Sequence, residues 1–292
     1  MKKITKAILP VAGFGTRFLP ATKVQPKEML SIFDTPAIEF IVEEAVEAGI
    51  EEIILITGRG KRAIEDHFDR NVELENLLKS REKFAELAKI QRISRMANFS
   101  YVRQPEPLGD GHAILCAKNL IAPDESVLVL FGDDIVDNGK GKNSVQQLME
   151  IYEKTQNPVI LLQKIDQKDS EKYGIVKISR EFQQAGEILD VVEKPKPNEA
   201  PSDLAIVGKY IITPEILQNL AKLEADKSGE IRLSAAFQQY LQNGGQLMGK
   251  VLEGKRFDIG DKLGFLEATL HFALKKEGDK AQQIIEKFAR GK

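Results

Sequence analysis

The chain has no tryptophan and only one cysteine, Cys116. A lone thiol excludes an internal disulfide and suits a reducing cytoplasm. No apolar run approaches the length needed to cross a bilayer. The first apolar stretch, in MKKITKAILPVAG, is broken by Gly13 too soon for a signal peptide and reads as a first strand. Neither sign of charge dominates: 42 Lys and Arg against 44 Asp and Glu leave a formal net charge of −2. Bulk attraction to nucleic acid or to an anionic membrane is not indicated. An anion site has to be local, built from a few cations and backbone amides. No repeat of fixed period and no low-complexity linker interrupts the 292 residues.

What is present is an alternation of strand-like runs and amphipathic segments. AILPVAG, EEIILITG, FSYVRQ and SVLVLFGDD are continuous apolar runs, as expected of strands covered on both faces. Between the first two, PAIEFIVEEAVEAG reads as a helix with Ile38, Ile41, Val42, Ala45 and Val46 on its inner face and Glu39, Glu43 and Glu47 outside. Such crossovers imply a doubly wound α/β fold around a mainly parallel sheet. VELENLLKSREKFAELAKIQRIS is too long for a simple crossover and reads as an inserted helical arm. Further on, PVILLQKI, YGIVKIS, EILDVVEK and LAIVGKYIIT follow in quick succession and suggest a smaller antiparallel portion. The C-terminal EGDKAQQIIEKFARGK reads as a polar helix. No boundary separates two independent folds, so residues 1–292 are expected to form one domain.

The stretch LPVAGFGTRFLPATKVQPKEML holds two glycines after a strand, then Arg17, Lys23 and Lys27. A glycine pair alone signifies a turn as readily as a binding loop. A dinucleotide fingerprint needs a third glycine where Phe18 stands, and a P-loop needs Gly-Lys-Ser or Gly-Lys-Thr; neither is present. What remains is a loop whose amides suit phosphates, followed by an arginine fork and a lysine point charge.

The longer pattern Leu9, Gly13, Gly15, Thr16, Arg17, Pro20, then Pro26, Lys27, Glu28, Met29, Leu30 resembles the sugar-1-phosphate nucleotidylyltransferase family, with Ser31 where a proline is usual. The resemblance covers nearly the whole chain. It implies a Rossmann-like nucleotidyltransferase fold whose N-terminal half binds nucleotide and whose C-terminal half, with its terminal helices, binds sugar phosphate. The loop from Ala12 through Gly13, Gly15 and Thr16 would bind the nucleotide, with Arg17 and Lys27 as catalytic cations. In YVRQPEPLGDGHAI, Gln104 matches the base-reading glutamine and Gly109 the glycine where backbone approaches the base. Asp133, in VLVLFGDD, matches a magnesium ligand and Asp258, in RFDIGD, a second metal position, with Ile259 where a smaller residue is common. Asp134 reads as a cap of the segment that follows. VVEKPKP matches the sugar-phosphate motif: Glu193 would accept from sugar hydroxyls, Lys194 would hold the phosphate, and Gly208 would offer backbone to the sugar. His112 reads as structural.

PATKVQPKEML, ITGRGKRAIEDHFD, DKLGFLEA and the helical arm resemble the bacterial branch that joins UTP to glucose 1-phosphate with Mg²⁺. A homo-oligomer, dimer or tetramer, is implied by the same resemblance. A thymidylyltransferase or another sugar specificity is the alternative on this scaffold, since uracil and thymine present Gln104 with the same edge. A non-catalytic nucleotide-sugar sensor is the alternative of another class; intact Arg17, Lys27, Asp133 and Lys194 argue against it.

Overall fold

The computed structural model describes residues 3–179 and 185–291. Strand β1 (Lys6–Pro10) runs into a loop of short 3-10 turns, then a small hairpin, β2 (Ser31–Ile32) and β3 (Thr35–Pro36), helix α1 (Ala37–Glu47) and β4 (Glu52–Thr57). Helices α2 (Arg62–Phe68), α3 (Val72–Ser80) and α4 (Phe84–Ile93) separate β4 from β5 (Asn98–Arg103). Helix α5 (Asp110–Cys116) leads to β6 (Val127–Leu130) and β7 (Asp134–Asp137), and α6 (Ser144–Thr155) to β8 (Val159–Lys164). Then come β9 (Gly174–Ile178), β10 (Ala185–Glu193), β11 (Leu204–Ile212), α7 (Pro214–Leu220), α8 (Leu233–Gln242), β12 (Leu247–Val251), β13 (Lys255–Asp258), α9 (Lys262–Glu277) and α10 (Asp279–Arg290).

A single nine-stranded sheet crosses both halves in the order β5-β4-β1-β6-β11-β8-β12-β10-β9. The first four strands are parallel. Beyond β6 the sheet turns mixed: β11 is antiparallel to β6 and β8, β12 is parallel to β8, and β10 is antiparallel to β12 and β9. The far edge folds back, with Ile175 of β9 paired to Ala205 of β11. Alternation along the inner strands divides the core between the two faces. Ala7, Leu9, Ile53 and Leu55 pack with α1, α6 and α9, while Ile8, Ile54 and Ile56 pack with α5, α7 and α8.

Three features depart from the sequence reading. SVLVLFGDD is not one strand: β6 stops at Leu130, and β7 leaves the main sheet to form a two-stranded ribbon with β13. The helical arm is a hairpin, α3 and α4, broken where Glu82 takes a positive φ of 55°. Helix α1 buries Glu39, placed on its outer side by the pattern, and also Glu44. Glu39 accepts from Arg92 Nη2 at 3.1 Å and lies 3.2 Å from His67 Nε2. Glu44 faces the fully buried Lys209 and accepts from the Ser144 amide at 2.9 Å. A buried carboxylate is tolerated when a cation and amides satisfy it, which a periodicity count does not register. Among the described residues, no helix is long and apolar enough to cross a membrane.

Candidate active site

The C-terminal ends of β1, β4, β5 and β6 lie together, the edge where open α/β sheets hold ligands. Val11 N–H donates to Ile56 C=O at 3.0 Å, so the loop after β1 starts anchored to β4. Gly15 is left-handed (φ 64°), and a Cβ there would meet Lys27 and Thr22 side-chain atoms at 3.2 Å; only glycine makes this turn without strain. The turn presents Arg17, whose Nη1 donates to Gly260 C=O at 3.4 Å.

Lys27 Nζ donates to Asp133 Oδ2 at 2.8 Å. Burial works against the Lys27 charge, but Asp133 and Glu28 outweigh it and hold the ammonium above its ordinary pKa. The reverse holds for Asp133: burial favours the neutral acid, and Lys27 overrides it, keeping the carboxyl below the usual range.

The ribbon brings the second carboxylate in. Register pairs Asp258 with Asp134 across β7 and β13, and Ile259 N–H donates to Asp133 C=O at 2.9 Å. Asp258 Oδ1 accepts from the Gly260 amide at 3.1 Å, and Oδ2 from Tyr173 Oη–H at 3.2 Å. Arg256, two residues earlier on the same face of β13, is an anchor that sequence reasoning missed. It pairs with Asp134, donates to Gln163 Oε1 at 3.1 Å, lies 3.5 Å from Asp258 Oδ2 and stacks 5.2 Å from the Tyr173 ring centroid. Its i, i+2 spacing to Asp258 is the one signal that pointed to it.

Asp134 is therefore no cap of a following segment. It is buried, paired with Arg256, and accepts the Gly208 amide at 2.9 Å. Burial pushes its carboxyl up; Arg256 opposes this, while Asp133 and Asp258 add to it. Gly208 changes role in consequence. Its N–H is engaged by Asp134, and its C=O accepts from Phe131 N–H at 2.8 Å. What Gly208 gives the site is space: a Cβ would come within 2.6 Å of Asp134 Oδ2.

Gln104 Nε2 donates to Gly109 C=O at 3.0 Å and lies 3.1 Å from His112 Nδ1, and among the described residues the amide oxygen takes no hydrogen bond. His112 thus braces Gln104. Gly109 has a positive φ of 94°, and a Cβ there would come within 2.7 Å of Ile231 C=O, so the chain itself demands glycine at this point.

Two cavities adjoin. One, of about 330 Å³, is lined by Ala12, Gly13, Lys27, Gln104, Gly109 and Asp133, among others. The other, of about 390 Å³, is lined by Arg17, Asp133, Glu193, Lys194, Gly208 and Asp258, among others. Asp133 belongs to both walls. Gly15 and Thr16 line neither; they form the turn that carries Arg17. Lys194 reaches its cavity from a positive φ of 47°, uncommon for a side chain with a Cβ.

A cleft with two compartments, carboxylates at their junction and cations on both sides, is the design of an enzyme that brings two anionic substrates together. Residues 6–275 match the Nucleotidyl transferase family, and the chain belongs to it. It is 47% identical over 289 residues to UTP–glucose-1-phosphate uridylyltransferase 2 of Staphylococcus saprophyticus, covering 98% of this chain and 99% of that one. It is 48% identical to UTP–glucose-1-phosphate uridylyltransferase of Bacillus subtilis, covering 94% of this chain and 92% of that one. A solved UDP-glucose pyrophosphorylase from Acinetobacter baumannii superimposes with a TM-score of 0.90 at 40% identity, over 98% of this chain and 100% of that one. A UTP-bound UGPase from the same organism gives 0.89 at 41% identity, over 97% of this chain and 99% of that one.

Proposed function

We propose that this chain transfers UMP from UTP to glucose 1-phosphate, giving UDP-glucose and pyrophosphate. The observation that carries the reading is the pair of cavities sharing Asp133: one presents the base-reading Gln104, the other Glu193 and Lys194. UTP occupies the first, with its α-phosphate at the shared wall. Glucose 1-phosphate occupies the second.

A phosphate monoester has a second pKa near ~6 and is already dianionic at neutral pH, so no general base is needed. The obstacle is repulsion between two polyanions, and catalysis is positioning and charge neutralisation. The loop amides from Ala12 to Gly13 line the first cavity and hold the triphosphate, while Arg17, on the wall of the second, adds positive charge at the junction from which pyrophosphate departs. Lys27 steadies the charge that develops at the α-phosphate. Lys194 holds the incoming phosphate while Glu193 accepts from sugar hydroxyls. The sugar phosphate oxygen attacks phosphorus opposite the pyrophosphate, with no covalent enzyme intermediate.

The site also suits Mg²⁺. Asp133 Oδ2 and Asp258 Oδ1 each lie 3.1 Å from the point a Cβ on Gly260 would occupy, so two hard oxygens converge on one small space. Among the described residues no group of three or more His, Cys, Asp or Glu is placed to hold a metal. Two carboxylates alone match an ion that fills its shell with phosphate oxygens and water. Asp133 and Asp258 would hold it, and when bound it would neutralise phosphate charge.

The test is pyrophosphate release with each nucleoside triphosphate against a panel of sugar 1-phosphates. Release should be fastest with UTP and glucose 1-phosphate. A clear preference for another pair would overturn the specificity, and no release with any pair would overturn the activity.

A further inference from the structure

The sugar-side cavity contains a cation that the reading so far leaves without a role. Arg232 lines it, and its Nη1 lies 3.9 Å from Glu193 Oε1. Lys194 Nζ lies 4.0 Å from the same oxygen. The other oxygen, Oε2, is 3.3 Å from the point where a Cβ on Gly174 would sit, and Glu193 with Gly174 is the terminal pair of the β9–β10 ladder. The backbone of Glu193 is thus fixed at a ladder end, and one of its carboxylate oxygens lies within 4.0 Å of two cations.

Arg232 is held firmly in that place. Its Nε donates to Asp226 Oδ2 at 2.8 Å, and Nη2 lies 2.7 Å from Glu230. The backbone beside it is bonded to the base-reading segment. Ile231 N–H donates to Leu108 C=O at 2.8 Å, Gly111 N–H to Ile231 C=O at 2.9 Å, and Leu233 N–H to Asp110 Oδ1 at 3.2 Å. The guanidinium is therefore mounted on the nucleotide half of the cleft while it reaches into the sugar half.

The charges pose a problem that this arrangement answers. A sugar phosphate dianion needs Lys194, yet Glu193 sits beside that lysine, competes for it and repels the phosphate. We propose that Arg232 is the counter-ion of Glu193: it neutralises the carboxylate, leaves Lys194 to the phosphate, and keeps Glu193 aimed at a sugar hydroxyl. Arg232 is then a positioning residue for the sugar phosphate. The inference rests on the reading of this cavity as the sugar 1-phosphate site.

Asp226 gives a control. Arg232→Ala and Asp226→Asn both remove the Arg232–Asp226 charge pair, but Asn keeps an oxygen that can accept from Nε, so only the first removes the cation beside Glu193. Steady-state kinetics should show KM for glucose 1-phosphate raised about tenfold in Arg232→Ala, with KM for UTP within about twofold of wild type. Arg232→Lys should recover part of the loss, and Asp226→Asn should keep both constants within about twofold of wild type. If Asp226→Asn equals Arg232→Ala, or if both KM values rise together, Arg232 only braces the turn and the proposal fails. Wild-type turnover with UTP and glucose 1-phosphate judges the functional reading separately. Should the wild type turn over no pair, calorimetric titration with inorganic phosphate still decides the matter: weaker binding to Arg232→Ala than to Asp226→Asn supports the counter-ion role, and equal binding overturns it.

Discussion

Asp133 and Asp258, far apart in sequence, both crowd Gly260, each with a carboxylate oxygen 3.1 Å from where a Cβ on that glycine would lie. The β7–β13 ribbon makes this meeting, and its closeness depends on Gly260 having no side chain. Gly260→Ala should push the two oxygens apart. We expect the Mg²⁺ concentration for half-maximal turnover to rise at least several-fold, about 1 kcal/mol of binding, with little change in thermal midpoint. A magnesium series with a melting curve as control checks it, and an unchanged magnesium requirement would count against both carboxylates as ligands.

The neighbouring acids should fail in different ways. Asp133→Asn removes the charge that pairs with Lys27 at the junction of the cavities. It should leave the fold intact and cost ~3 kcal/mol in transition-state stabilisation, roughly a hundredfold in rate or more, with partial recovery at high magnesium. Asp134→Asn strands Arg256 in the interior, and breaking a buried pair costs about 3–5 kcal/mol of stability. Denaturant unfolding and steady-state turnover of both variants separate the two effects. A stable but inactive Asp134→Asn would place the metal on the other carboxylate.

These cases show which parts of the site were legible in the sequence. The turn after β1 was, because a glycine pair following an apolar run announces a turn from local order alone. The alternation of strands and helices was legible too, since β1, β4 and β6 are apolar through most of their length. Arg256 and Tyr173 were not, because their contacts cross the ribbon between segments far apart in the chain. The buried Glu39 was read as exposed because its partners, Arg92 and His67, come from other elements. Gly208 lines the sugar-side cavity, but no pattern announces that Asp134 takes its amide.

Base choice should depend on the amide oxygen of Gln104. With Nε2 turned to Gly109 C=O and His112, the oxygen suits the N3–H of uracil and opposes the bare N3 of cytosine. Gln104→Ala should reduce the UTP-over-CTP ratio of kcat/KM by ~1–3 kcal/mol, while kcat at saturating UTP changes less. An unchanged ratio would remove Gln104 from base recognition.

Away from the cleft, Asp137 ties the ribbon to α9. It accepts from Lys275 Nζ at 2.8 Å and lies 2.7 Å from His271 Nε2. Burial works to raise its pKa, but His271 and Lys275 outweigh it and hold the carboxyl down to about 2. A folded-state value below the unfolded one stabilises at pH above the ordinary carboxylate range and is lost as pH falls through the folded value. The stability gap between wild type and Asp137→Asn should be up to roughly 2 kcal/mol near pH ~6 and should shrink as pH falls from about 4 to 2. Urea titrations across that range check this, and a gap that stays constant would assign the loss to packing.

The central claim is that both substrates are held side by side and react directly across the wall formed by Asp133. The stereochemical course at the α-phosphorus tests it most directly. UTP carrying one sulfur of known configuration on that phosphorus is turned over with glucose 1-phosphate, and the configuration of the product is read by phosphorus NMR. A single in-line displacement inverts the centre, and inversion is the result expected. Retention would mean two displacements through a covalent enzyme intermediate, which would contradict direct transfer between the two cavities.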